Sequence, residues 1–140
     1  MILVIVLLAI LWKCVSTIEG MTNGEDVFSS SSVPDSTPST FNGDLGSTPK
    51  LVWFYAKWCG HCKNIKSDWD SASKVVNRDD NIKMIKINCG DNNNNEQKKI
   101  MEKYEINGYP TILVLQNAKL ISDYDGDRDK QSLIEFANSL

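Results

Sequence analysis

Apolar and polar residues divide the chain into three unlike stretches. Ile2 to Trp12 is unbroken apolar sequence, closed by Lys13. From Gly20 to Pro49, Ser, Thr, Asn, Gly, Asp and Pro dominate, and neither Ser29-Ser30-Ser31-Ser32 nor Pro34-Asp35-Ser36-Thr37-Pro38 carries an apolar period. Such a stretch has too little apolar surface to offset the entropy of ordering it. From Lys50 onward the pattern becomes regular. Leu51 to Tyr55 reads LVWFY, the composition of a short strand buried on both faces. Ile65, Trp69, Ala72 and Val76 recur at helical spacing and predict a helix over about 59–77. Lys83 to Ile87 alternates and predicts a second strand. Asn94 or Asn95 is placed to cap a helix running to about Tyr104. Thr111 to Leu115 predicts a third strand, and a turn at Gln116-Asn117-Ala118 leads to a fourth over Lys119–Tyr124. Gly126 ends it, and a last helix over about 129–139 offers Leu133, Ile134, Phe136, Ala137 and Leu140 to a core.

The resulting order is β-α-β-α-β-β-α. A right-handed crossover makes the first two strands a parallel pair, and a tight turn makes the last two an antiparallel hairpin. The expected fold is α/β: a mixed four-stranded sheet with helices on both faces. Three regions follow: a hydrophobic leader over 1–19, a flexible linker over 20–49, and one folded domain over 50–140. Short elements around Val27-Phe28 or Phe41 are candidates to dock onto that domain.

The leader's chemistry changes where the protein is expected to work. Eleven helical residues reach roughly 16 Å, short of a ~30 Å hydrocarbon core, which favours a signal peptide over a full span. Cys14-Val15-Ser16 offers a small-x-small cleavage site, but no Lys or Arg precedes the run. An uncleaved anchor over residues 2–18, with Lys13 snorkelling, therefore stands beside the cleaved form. Either one directs the chain to the secretory pathway: the endoplasmic reticulum lumen or another extracytosolic side. Net charge is −3 with no basic block, which argues against nucleic acid as a partner.

Four cysteines, Cys14, Cys59, Cys62 and Cys89, are too few and too unevenly spaced for a disulfide scaffold. One pair stands out. Cys59 and Cys62 are separated by Gly60 and His61, the sole histidine, at the start of a helix that follows a buried strand. A thiol at a helix N-terminus meets unpaired N–H groups and the positive end of the dipole, and a protonated imidazole beside it adds charge. Both favour thiolate, the nucleophile of disulfide exchange. Lowering a thiol pKa from about 8.5 to about 5 takes roughly 4–5 kcal/mol. Cys62, one turn further in, is shielded and keeps the higher pKa, so Cys59 attacks and Cys62 resolves. Two other readings stand beside this one. Zinc would need further ligands, and only Cys89, Cys14 and His61 remain to supply them. A structural disulfide across so short a loop would constrain the unfolded chain little.

Trp58-Cys59-Gly60-His61-Cys62-Lys63 resembles the active-site motif of protein disulfide isomerases, within the thioredoxin superfamily. Phe54-Tyr55-Ala56 precedes the motif in the family's manner, Gly108-Tyr109-Pro110-Thr111 resembles its cis-proline loop, and Tyr124-x-Gly126-x-Arg128 with Leu133 and Phe136 resembles its last strand and helix. The likeness runs from about Leu51 to Leu140. It implies the thioredoxin fold with its first strand and helix reduced or absent, a cis bond at Tyr109-Pro110, and an extended substrate peptide held at Trp58, Tyr109 and Pro110. The chain also departs from the family. Trp53 stands where a buried Glu usually accepts the resolving cysteine's proton, Asn107 replaces a usual Arg, and Lys57 and Ser67 replace prolines.

Two functions follow. The first is a disulfide isomerase or oxidase using Cys59, Cys62, His61 and Gly60, with no metal or organic cofactor. Its partners are cysteine-containing client proteins and a redox partner, and it acts as a monomer. His61, where thioredoxins carry proline, points to the oxidising end. The second is a tethered or secreted client-binding module with little catalysis. Cys89, just after the second strand, reads as a partly buried free thiol.

Overall fold

The computed structural model describes residues 33–140, so the leader, Cys14, Val27-Phe28 and the linker up to residue 32 lie outside it. Among the described residues nine elements are formed: β1 (Asp35–Ser36), α1 (Phe41–Asp44), β2 (Lys50–Tyr55), α2 (Gly60–Val76), β3 (Lys83–Asn88), α3 (Asn95–Lys103), β4 (Thr111–Gln116), β5 (Lys119–Asp123) and α4 (Lys130–Asn138). The sheet order is β1-β3-β2-β4-β5. β1, β3 and β2 run parallel; β2–β4 and β4–β5 are antiparallel. The expected four strands, crossover and hairpin are all present.

The sheet gains a fifth strand, so the four-stranded expectation is corrected. The folded body also begins by Val33 rather than at Lys50. β1 has two residues, with Asp35 opposite Lys86 and Ser36 opposite Ile87. The Tyr55 hydroxyl donates to Asp35 Oδ2 at 2.7 Å and fixes the strand's register. α1 is a single turn whose Phe41, with the following Leu45, is completely buried. The first strand and helix are thus reduced, not absent.

Strand alternation sorts β2 into two cores. Leu51, Trp53 and Tyr55 face α2 and α4, meeting Trp69, Ala72, Leu133 and Ala137. Val52 and Phe54 face the other side, meeting Phe41, Leu45, Ile100 and Tyr104. β3 is an inner strand whose Met84 packs into the first core and whose Ile85 and Ile87 pack into the second; even Lys86 is fully buried, its ammonium 5.8 Å from the centre of the Tyr55 ring. α3 and α4 start where a side chain satisfies their free N–H groups. Asn94 accepts from Glu96 and Gln97, and Asp129 accepts from Gln131 and Ser132. Among the described residues no helix is long and apolar enough to cross a membrane.

Candidate active site

β2 ends at Tyr55, and the chain turns through Ala56, Lys57 and Trp58 before α2 begins. Cys59 is the N-cap of α2, in an extended conformation, with no side-chain capping bond of its own. Its N–H donates to Ala56 O at 3.0 Å, and its carbonyl accepts from Lys63 at 3.2 Å. The turn is fixed by backbone, which leaves the cysteine sulfur available for chemistry. Cys59 Sγ donates to Tyr109 O at 3.6 Å, the carbonyl that precedes Pro110. The Tyr109-Pro110 bond is cis.

Cys62 lies one turn further along and is fully buried, whereas Cys59 keeps 7 % exposure; both thiols are free. Burial pushes the Cys62 thiol up to about 12, and hydrogen bonding and repulsion from Cys59 add to the rise. The Ala56 backbone and the Trp53 side chain pull the other way. The pair therefore splits into an outer thiol at a helix N-terminus and an inner one held protonated by burial.

Trp58 is 66 % exposed, an unusual position for so large an apolar ring. Its indole N–H donates to Gly90 O at 2.9 Å, and its ring stands edge-on to Tyr109 at 5.8 Å. Sequence reasoning missed Gly90. A Cβ there would lie 2.6 Å from Ala56 Cβ and 2.9 Å from Trp58 Nε1, so only glycine lets the loop after β3 pass beneath the motif. Its one local sign is a glycine two residues after the end of a strand. Met101 was also missed: the Tyr109 hydroxyl donates to Cys89 O at 2.6 Å and contacts Met101 Sδ at 3.2 Å.

Of the site residues expected from sequence, Cys59, Cys62, Trp58, Tyr109 and the half-buried Pro110 converge at one end of the sheet, where β2 stops and β4 starts. His61 and Gly60 are exposed in the first turn of α2, and a Cβ on Gly60 would meet nothing within 4 Å. The protein's own packing therefore does not demand glycine at position 60. Asn107 donates to Glu105 O at 3.0 Å. Cys89 is fully rather than partly buried. Among the described residues, no three His, Cys, Asp or Glu side chains are grouped to hold a metal. A surface cavity of about 600 Å³, lined by Pro34, Asp44, Lys50, Asn77 and Lys83 among others, opens at the far end of β2 from the cysteines and takes no part in their chemistry.

The strand–turn–helix dithiol facing a cis-proline loop agrees with the sequence profile named Thioredoxin, which matches residues 32–139. The chain belongs to the thioredoxin family. Within that family it is similar to protein disulfide isomerases. It is 32 % identical over 110 residues to a probable protein disulfide-isomerase ER-60 of Schistosoma mansoni, covering 77 % of this chain and 22 % of the relative. It is 33 % identical over 102 residues to protein disulfide-isomerase 5-1 of Arabidopsis thaliana, covering 71 % and 66 %. The first two thioredoxin domains of Naumovozyma dairenensis Eps1p superpose with a TM-score of 0.66 at 25 % identity, covering 77 % of this chain and 40 % of that one. The chain spans about a fifth of several of these curated relatives, which places one thioredoxin-family domain within much longer proteins.

Proposed function

We propose that this protein is a thiol–disulfide oxidoreductase of the disulfide isomerase or oxidase type, acting on protein cysteines through Cys59 and Cys62. The observation that carries the reading is the asymmetry of the pair: Cys59 caps α2 beside the Tyr109 carbonyl, while Cys62 is buried behind it. In the oxidising direction a client thiolate attacks Cys59 Sγ, the Cys59–Cys62 bond breaks, and Cys62 leaves as thiolate and takes up a proton. A second client thiolate then attacks the client sulfur of the mixed disulfide and releases Cys59. In isomerisation Cys59 thiolate attacks a client disulfide, and Cys62 rescues any complex that stalls. His61, when protonated, adds positive charge beside the attacking sulfur, and the helix N-terminus acts in the same sense. Trp58, Tyr109 and Pro110 form the rim against which an extended client segment lies. The apolar run at residues 2–12 supports delivery to the secretory pathway, where disulfides persist.

The test is the reduction potential of the pair in the full chain, by mass-resolved thiol labelling across a glutathione series. A value near about −180 mV is expected for disulfide donation and isomerisation. A value at or below about −270 mV would make the protein a reductase. If Cys59 and Cys62 never form a disulfide, the enzyme reading falls and a client-binding module replaces it.

A further inference from the structure

We infer, resting on the function proposed above, that the cleft between the end of α3 and the loop leading to Tyr109 selects clients. It takes a cationic side chain, lysine or arginine, that flanks the client cysteine.

The cleft has a volume of about 600 Å³. Its lining includes the half-buried Met101 and the buried Ile106, with Lys98, Glu102, Glu105 and Asn107 exposed around them. It is continuous with the reacting thiol through a single residue. The Tyr109 carbonyl accepts from Cys59 Sγ at 3.6 Å, and the Tyr109 hydroxyl reaches Met101 Sδ at 3.2 Å. One tyrosine therefore links Cys59 to the floor of the cleft. A client extended along this loop, at about 3.3 Å per residue, brings a side chain about two to three residues from its cysteine over the cleft.

Backbone holds the walls. Where α3 ends, Ile106 N–H donates to Met101 O at 2.9 Å and Glu105 N–H to Glu102 O at 3.4 Å. Glu105 has a φ of 54°, at a position where helices commonly end in glycine. Asn107 Nδ2 donates to Glu105 O at 3.0 Å and ties the next bend to it. The Glu105 side chain thus leaves from a fixed turn at the rim.

The charge of the cleft sets its preference. Glu102 and Glu105 outnumber Lys98, and the C-terminus of α3 adds partial negative charge. Lys98 lies one turn before Glu102 without forming an ion pair with it, and among the described residues no cation engages either carboxylate. Lys103, in the last turn, is directed elsewhere, toward Asn42 and the Tyr104 ring. On the α2 side of Cys59 the exposed charges have the other sign, Lys63 and, when protonated, His61. A cationic client side chain is therefore repelled from one side of the reacting sulfur and received on the other.

The test uses the full chain, reduced, and synthetic peptides whose single cysteine is disulfide-linked to thionitrobenzoate. Cys59 thiolate attacks the peptide sulfur, the Cys59–peptide bond forms, and thionitrobenzoate leaves as a coloured thiolate. The peptides carry Lys or Glu before or after the cysteine at the spacing given above. Glu102→Gln/Glu105→Gln is expected to lower the Lys-to-Glu ratio of rate constants by about threefold, the scale of exposed ion pairs. The loss should appear for substitutions on one side of the cysteine only, and should shrink in about 1 M salt. Glu135→Gln, on α4 across the sheet, also removes a negative charge and is expected to leave the ratio in place. A ratio unmoved by the double variant, moved equally for both sides, or moved as much by Glu135→Gln would overturn the cleft and leave the oxidoreductase standing. Release from none of the peptides would sink the oxidoreductase reading, and the cleft's role with it.

Discussion

Cys62 and Cys89 are a matched pair of thiols with different fates. Both are fully buried and free, and burial pushes both up to about 12. For Cys89, desolvation is the cause of the rise, with no opposing hydrogen bond. Cys62 has a second sulfur beside it, and the Ala56 backbone and the Trp53 side chain favour its thiolate. Burial alone makes a small hydrophobe with an inert S–H. A reacting sulfur must be buried enough to stay protonated at rest, yet supplied with a partner to attack and donors to steady its charge. The two residues lie on opposite faces of the sheet, Cys62 with Trp53 and Trp69, Cys89 with Phe54 and Tyr104.

The largest expected difference comes from deleting each sulfur. Cys62→Ala removes the intramolecular attack that frees Cys59 from a mixed disulfide, and an intramolecular partner carries a large effective concentration. Turnover of a disulfide client should fall by about a hundredfold or more, with mixed disulfides visible on non-reducing gels. Cys89→Ala should leave turnover within about twofold and cost about 1 kcal/mol in chemical denaturation, the scale of a small buried apolar group. Turnover lost in Cys89→Ala would mean that the two thiols act together.

pH separates them next. Each thiol rises in the folded state from 9.0 to about 12. A group whose folded pKa is raised contributes stability that is complete below its unfolded pKa and is lost as pH climbs through the folded value. The reduced protein should therefore lose unfolding free energy between about pH 9 and pH 12. Cys89→Ala should flatten that decline without altering how client resolution accelerates with pH, because only Cys62 must become thiolate to resolve. Urea midpoints of the reduced protein across this range, set against resolution rates, check both halves.

Gly90 shows that the neighbourhood of Cys89 still matters to the site. Gly90→Ala places a Cβ 2.6 Å from Ala56 Cβ, and overpacking of this kind costs about 1–3 kcal/mol. Because Gly90 O also anchors the Trp58 indole, the variant should change Trp58 fluorescence and weaken client binding more than it changes reduction potential. A fluorescence spectrum identical to the parent's would show that the loop absorbs the methyl group elsewhere.

What the sequence revealed follows the same division between local and distant causes. The strand LVWFY, the turn and the amphipathic helix behind Cys59 are written in adjacent residues, as is the cap at Asn94. The edge strand is not. Asp35–Ser36 sits among Ser and Pro residues and is a strand only because β3 lies beside it and Tyr55, twenty residues away, binds Asp35. α1 has four residues, too few to show a period, and its Phe41 meets Phe54 and Tyr104 from distant elements. The alternation of β3 announced a strand but not that its Lys86 would be fully buried, with the ammonium 5.8 Å from the Tyr55 ring. At the site, the cysteines and the cis bond were legible from motif and resemblance. Gly90 and Met101 act through contacts across the fold that no spacing announces.

The smallest effect tests the link between the two thiols. Tyr109 touches both environments: its carbonyl accepts from Cys59 Sγ, and its hydroxyl donates to Cys89 O. Tyr109→Phe keeps the carbonyl and the ring against Trp58 but removes the hydroxyl. One hydrogen bond is worth about 1 kcal/mol net, and the orphaned Cys89 carbonyl sets the upper end of the cost. Unfolding free energy should fall by about that much, while the reduction potential of Cys59–Cys62 stays within about 10 mV, well inside the 30 mV that equals 1.4 kcal/mol for a two-electron couple. A larger change in potential would show that the hydroxyl, not the backbone, sets the loop's position beside Cys59. The face that holds Cys89 would then be part of the redox machinery.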